Sequence, residues 1–175
     1  MAVTLIVEDG SVVSGANAFA SLVDVAALLA AHPFADAWAL EPNQGACVAE
    51  ATAWLSRLRW QGRAAFPTTQ ALSWPRYWVP VPDRDEGLSA FQLYDQFYLP
   101  GTAIPAFLKR ATARLALFLS RLGDTPYDPT GLVKDSALRI GALSLDPSQP
   151  GSLPVDVLQE ILPFLRAVGV TAVRA

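Results

Sequence analysis

One cysteine and one histidine in 175 residues leave this chain almost without the side chains that build metal centres and nucleophilic sites. A single thiol, Cys47, excludes an intrachain disulfide and any multi-thiolate zinc site. His32 alone excludes a His-rich metal cluster and argues against a histidine-based catalytic apparatus. Also missing are a Gly-rich phosphate loop, a Gly-x-Ser-x-Gly elbow, a paired-Cys motif and an HExxH helix. The longest apolar runs, Val25 to Ala31 and Leu115 to Leu119, fall far short of the ~20 residues that a bilayer crossing needs. No basic segment leading into a hydrophobic stretch and a small-residue cleavage site opens the chain, so no secretion is expected. Charge is sparse, at 17%, and the net value is −3. That balance argues against a protein whose main work is coating nucleic acid, although a small basic face can hide in an acidic average.

What the chain has instead is apolar mass. A 52% hydrophobic content rules out the disordered class, which lacks enough apolar surface to offset ordering entropy. The length suits one domain over residues 1–175, burying roughly two-thirds of its unfolded surface. A chain this apolar without a membrane span is expected to complete its burial against partner subunits.

The periodicity predicts a mainly α fold, a compact bundle of about four helices with a short N-terminal β element and long irregular loops. Val3 to Val7 reads as a strand, turning at Asp9-Gly10 toward Ser11 to Val13. Ser21 with Asp24 resembles a capping box, opening a helix from about Leu22 to Ala31. His32, before Pro33, reads as a cap at that helix's C-terminus rather than a ligand. A second helix spans about Pro42 to Arg59, with Cys47, Val48, Ala51, Trp54, Leu55 and Leu58 on one core-facing stripe. Cys47 is therefore read as a buried small hydrophobe, not a reactive thiol. Pro105 and Gly123 bracket a third helix whose Ile104, Phe107, Leu108, Ala111, Leu115, Phe118, Leu119 and Leu122 share a face. Arg110, Arg114 and Arg121 line one flank of it, open to solvent, to a neighbouring subunit or to a nucleic acid backbone. A fourth helix from Pro154 to about Val168 must kink or break at Pro163.

Between these helices lie two irregular stretches. Residues 77–101 form an extended aromatic and acidic loop, in which Asp83-Arg84-Asp85-Glu86 reads as a solvated tip rather than a calcium loop. Phe91, Tyr94, Phe97 and Tyr98 fit one short amphipathic helix, covering either the domain's own core or an interface. Ala137 to Leu145 reads as a short extended piece, and residues 168–175 as a C-terminal arm. Lys134-Asp135-Ser136 is suggestive only in isolation, since a Ser–Lys pair needs spatial proof and occurs by chance in most chains, and the acidic loop has no second pole for acid–base work. No enzymatic activity is expected, and no catalytic, cofactor or metal residue.

The distinctive stretch is Trp60 to Arg76, WQGRAAFPTTQALSWPR. Pro67 and Pro75 each fix their own φ and push Phe66 and Trp74 toward extended geometry. Trp60 and Trp74 bring large apolar bodies with one N–H each, and Arg63 and Arg76 bring planar donor forks. The segment reads as a rigid staple on a helical body, suited to attachment. Its contact candidates are Trp60, Arg63, Gln70, Trp74 and Arg76, joined by Trp78, Phe91, Tyr94 and Phe97 and by Arg110 and Arg114. The alternative is that the staple only braces the monomer's own core.

The blocks Trp60-Gln61-Gly62-Arg63 and Thr69 to Arg76 resemble a family of tailed-phage proteins labelled DnaT-like single-stranded-DNA-binding protein. Others in the group are described as head–tail connectors or adaptors. The likeness extends to LIVEDGSVVSGANAFASLVDV at the N-terminus, to the helix after Ile104-Pro105, and to the last helix with its Pro163. Residues 77–101 depart from the pattern, being longer and more aromatic. Resemblance to the adaptors implies a non-enzymatic structural protein of the phage virion, made in the host cytoplasm and placed at the head–tail neck. It implies a homo-oligomeric ring of about twelve copies. Such a ring docks on the portal protein and on tail or neck proteins, and passes genomic double-stranded DNA through its lumen without sequence-specific binding. An acidic lumen would let DNA slide. No membrane partner is implied. The other label implies a single-stranded-DNA-binding replication accessory, which should show a basic groove with stacking aromatics.

Overall fold

The computed structural model describes residues 3–82, 97–122 and 153–166, and these are mainly helical. The helices are α1 (Leu22–Leu29), α2 (Ala35–Ala39), α3 (Gln44–Ser56), α4 (Ala106–Leu122) and α5 (Val155–Ile161). A 3-10 turn, Leu162–Phe164, continues α5. Two strands of two residues each, β1 (Arg63–Ala64) and β2 (Arg76–Tyr77), pair antiparallel with Arg63 opposite Tyr77 and Ala64 opposite Arg76. None of the described helices is long and apolar enough to cross a membrane.

The hub is α4, which packs against α1, α3 and α5. Its expected stripe is buried at Phe107, Leu108, Ala111 and Leu115, but burial extends round the helix to Ala113, Ala116 and Leu117. The two extra alanines let neighbouring elements approach the backbone on the second side, while Arg110 and Arg121 stay exposed. Thr112, fully buried, satisfies its hydroxyl by donating to Leu108 O at 2.8 Å. Against α4, α3 presents Val48, Ala51 and Leu55 as buried residues, with Cys47, Trp54 and Leu58 packed at the edge. This is the stripe that the spacing predicts. Burial first, and the nearby Glu41 second, push the Cys47 thiol above its ordinary value, which keeps it protonated and unreactive.

The capping box of α1 is present: Asp24 N–H donates to Ser21 Oγ, and Ser21 N–H donates to the Asp24 carboxylate. Those two bonds, and Lys109 more weakly, hold the Asp24 carboxyl below its ordinary value. Helix α2 has no counterpart in the sequence reading. Its five residues are too short to show a period, and it exists because Trp38 is drawn into the core. Gln44 Nε2 donates to Trp38 O at 2.7 Å and ties α2 to the start of α3.

Three expectations are corrected. The N-terminal segment is not a hairpin: among the described residues it runs beside Asn17 and Ala18, with one parallel bridge between Val7 and Ala18. The reason is Glu8, whose side chain is fully buried. Glu8 Oε1 accepts from Gly10 and Val12 N–H and Oε2 from Val13 N–H, all within 3.0 Å. The carboxylate thus takes the donors a second strand would have used. Among the described residues the strand pair is instead formed by Arg63–Ala64 and Arg76–Tyr77. His32 does not cap α1 through its ring, because Nδ1 accepts from Phe34 N–H at 3.2 Å and shapes the turn into α2. The last helix ends at Ile161 rather than near Val168, and the break expected at Pro163 takes the form of a 3-10 turn. The Asp83–Glu86 tip, Phe91, Tyr94, Lys134, Ser136, the 137–145 piece and the 168–175 arm lie outside the described residues, as does the Leu122 side chain.

Candidate nucleic-acid interface

Most of the aromatic staple faces inward. Trp60 and Trp74 are 2% and 0% exposed and meet edge to face at 5.6 Å. Trp74 also meets Phe107 of α4 edge to face at 5.7 Å, and Phe107 stacks on Phe164 at 3.7 Å. Four rings from three parts of the chain therefore form one cluster, which welds the block to α4 and to the turn after α5. Trp60 Nε1 donates to Leu55 O at 2.9 Å, whereas Trp74 Nε1 has no hydrogen-bond partner among the described residues. Gln70 closes the loop between the strands, accepting from Phe66 N–H and donating to Leu72 O. The rings of Trp60 and Trp74 are thus packed within the chain, and the Gln70 amide bonds to its own loop.

The outer side of the block is different in kind. The segment after α5 lies along residues 59–61. Gln61 N–H donates to Phe164 O, Arg166 N–H donates to Arg59 O, and Gln61 Nε2 donates to both Pro163 O and Leu165 O. This lacing brings arginines from distant parts of the chain together. Arg76 donates Nε to Gln61 O at 2.8 Å, Nη1 to Ser73 O at 3.1 Å and Nη2 to Gly62 O at 3.1 Å. Arg166 Nη2 donates to the same Gly62 carbonyl at 3.1 Å. Two guanidinium groups therefore converge on one oxygen. Arg76 is held below its ordinary value, by burial first and by the neighbouring Arg166 charge second. On the adjoining strand, exposed Arg63 sets its guanidinium carbon 4.8 Å from the ring centroid of Trp78. Trp78 is 50% exposed.

No described carboxylate pairs with Arg59, Arg63, Arg76 or Arg166. The ion pairs among the described residues lie elsewhere: Lys109 with Asp24, and Arg110 and Arg114 both with Glu160. The last two tie α4 to α5, so this part of the flank is used inside the chain, and Arg121 sits over Phe34 at 3.7 Å. Phe97 is also taken up by the core, and its strand-like neighbourhood runs against residues 79–81 through Val81 N–H to Phe97 O and Leu99 N–H to Val79 O. Of the predicted contact residues, the structure sets Arg63 against Trp78 and Arg76 beside Arg166, with Arg63 opposite Tyr77 in the strand pair. Sequence reasoning missed Arg59 and Arg166, since only the pairing of Trp60 with Leu165 makes them neighbours. Together these groups offer several planar donor forks and an exposed ring, the chemistry that holds phosphates and a base. Among the described residues, no group of three His, Cys, Asp or Glu side chains could hold a metal ion.

A family model described as "Putative DnaT-like ssDNA binding protein" matches residues 3–145. The match supports the DNA-binding label of the resemblance and gives no support to the head–tail adaptor label. No curated protein matches the chain, and no solved structure does.

Proposed function

Because the chain belongs to the family of DnaT-like single-stranded-DNA-binding proteins, we propose that it binds single-stranded DNA through Arg59, Arg63, Arg76 and Arg166, without a catalytic step. The observation that carries this reading is the convergence of Arg76 and Arg166 on the Gly62 carbonyl with no carboxylate among the described residues to balance them. Like charges held together cost free energy unless an anion relieves them, and a phosphodiester chain is such an anion. The net charge of −3 does not oppose this, because a strand responds to the local field of a face more than to a total.

The test is salt-dependent binding of a fluorescent oligothymidylate. Contacts with about three phosphates give a slope of log K against log salt near −2, at ~0.7 per phosphate for single strands. Replacing Arg59 and Arg63 together by alanine should flatten the slope by about 1.4. Neither guanidinium donates a hydrogen bond within the described residues, so the fold should survive. Wild-type protein that ignores the oligonucleotide at low salt, or a double variant that binds as wild type does, would sink the reading.

A second reading, a ring-forming virion adaptor docking on portal and tail proteins, is favoured by one observation. Helix α1 turns Leu22, Val23 and Leu28 to solvent, Val23 at 79% exposure, and Leu40 beyond α2 is 83% exposed. Apolar side chains so placed suit a neighbouring copy. A particle mass many times the 18.7 kDa of the chain is the result expected of that reading, and a strict monomer at micromolar concentration would end it.

A further inference from the structure

We infer that Trp78 is a stacking platform for an unpaired base, and that it makes the arginine face select single strands over duplex. This rests on the DNA-binding reading and adds the element that the arginines lack, since phosphate contacts alone are made by either form of DNA. Trp78 stands between two fixed pairings. On one side Arg76 and Tyr77 pair with β1, and on the other Val79 and Val81 hydrogen-bond with Leu99 and Phe97. Its φ of +63° lies in the left-handed region, which a bulky residue seldom adopts. That turn sends fully buried Val79 inward and leaves its tryptophan neighbour half exposed. Strained backbone of this kind persists where the surroundings over-determine it, and it clusters at binding sites.

Tryptophan is a costly choice for that position on stability grounds alone. Half of its surface is left in water there, and the φ favours glycine or asparagine. What the indole does have is Arg63 over it, at 4.8 Å from the ring centroid. The cation orients the ring while half of the residue's surface stays open, and Arg63 itself stands ready to hold the phosphate beside a stacked base. Base-on-aromatic stacking tolerates any sequence, because every base has a π-face. A duplex keeps its faces within its own stack and would gain nothing from Trp78.

The experiment compares three probes of equal length: oligothymidylate, the same phosphodiester chain with abasic sites throughout, and a duplex hairpin. Binding is read by anisotropy for wild type, Trp78→Ala and Trp78→Phe. Wild type should prefer oligothymidylate to the abasic chain on the order of tenfold, and Trp78→Ala should abolish that preference while leaving abasic affinity unchanged. Trp78→Phe should keep part of it, since a smaller ring still stacks. Equal wild-type affinity for oligothymidylate and the abasic chain would overturn stacking while leaving the phosphate reading intact. Parallel loss on both probes in Trp78→Ala would show a structural role and overturn it too. Failure of wild type to bind any of the three would remove the DNA-binding reading and this inference with it.

Discussion

Trp74→Ala is expected to destabilise the fold by about 3–5 kcal/mol, which is much of the stability of a typical domain. Trp74 is fully buried and makes edge-to-face contacts with both Trp60 and Phe107. Its removal would leave a cavity where the block, α4 and the turn after α5 meet. Collapse could fill little of it, because Phe107 is already stacked on Phe164 and Trp60 is tied to Leu55 O. Trp74→Phe should cost far less. A phenyl ring keeps part of the packing, and it deletes an indole N–H that has no partner among the described residues. Urea denaturation followed by far-ultraviolet circular dichroism reads both variants. A loss under about 1 kcal/mol for Trp74→Ala would mean that the aromatic cluster does not carry the core.

The same cluster shows how far the sequence could be read. Periodicity exposed the buried faces of α3 and α4, and the Ser21–Asp24 pair marked the start of α1, because those signals are local. Glu8 deceived for the opposite reason. Glu-Asp-Gly is a good turn signal, and nothing in it says that the carboxylate will bury and capture three backbone donors. The Trp60–Arg76 block was legible as rigid but not as two-sided. Whether a tryptophan there points in or out depends on α4 and on residues 163–165, about a hundred positions away. Arg166 was hidden for that reason too, having been read as part of a longer last helix. Composition misled in one respect. The acidic total conceals a segregation in which Asp24 and Glu160 balance the cations of α4, while Arg59, Arg63, Arg76 and Arg166 have no described carboxylate beside them.

Gly62 is where fold and candidate site depend on the same atoms, and Gly62→Ala is expected to be the more damaging of two outwardly equal substitutions. Gly62 and Gly15 have nearly the same φ, +66° and +69°. Alanine at either position pays the left-handed cost of about 1–2 kcal/mol, offset in part by ~0.4–1 kcal/mol from a less free unfolded chain. Space separates them. A Cβ on Gly15 would meet only Ile6 Cδ1 at 3.8 Å, an ordinary contact. A Cβ on Gly62 would lie 2.2 Å from Tyr77 O and 2.9 Å from Val79 Cγ2. The carbonyl cannot rotate aside, because it belongs to the strand paired with β1, so β1 and β2 must part. Parting them also shifts the Gly62 carbonyl away from Arg76 and Arg166, which loosens the fork that holds both guanidiniums. Gly62→Ala should therefore lose at least about 2 kcal/mol more than Gly15→Ala in urea denaturation. It should also weaken oligothymidylate binding under conditions where it remains folded, while Gly15→Ala binds as wild type does. Equal midpoints for the two variants would show that the strand pair yields freely, and the arginine face could then not owe its geometry to Gly62.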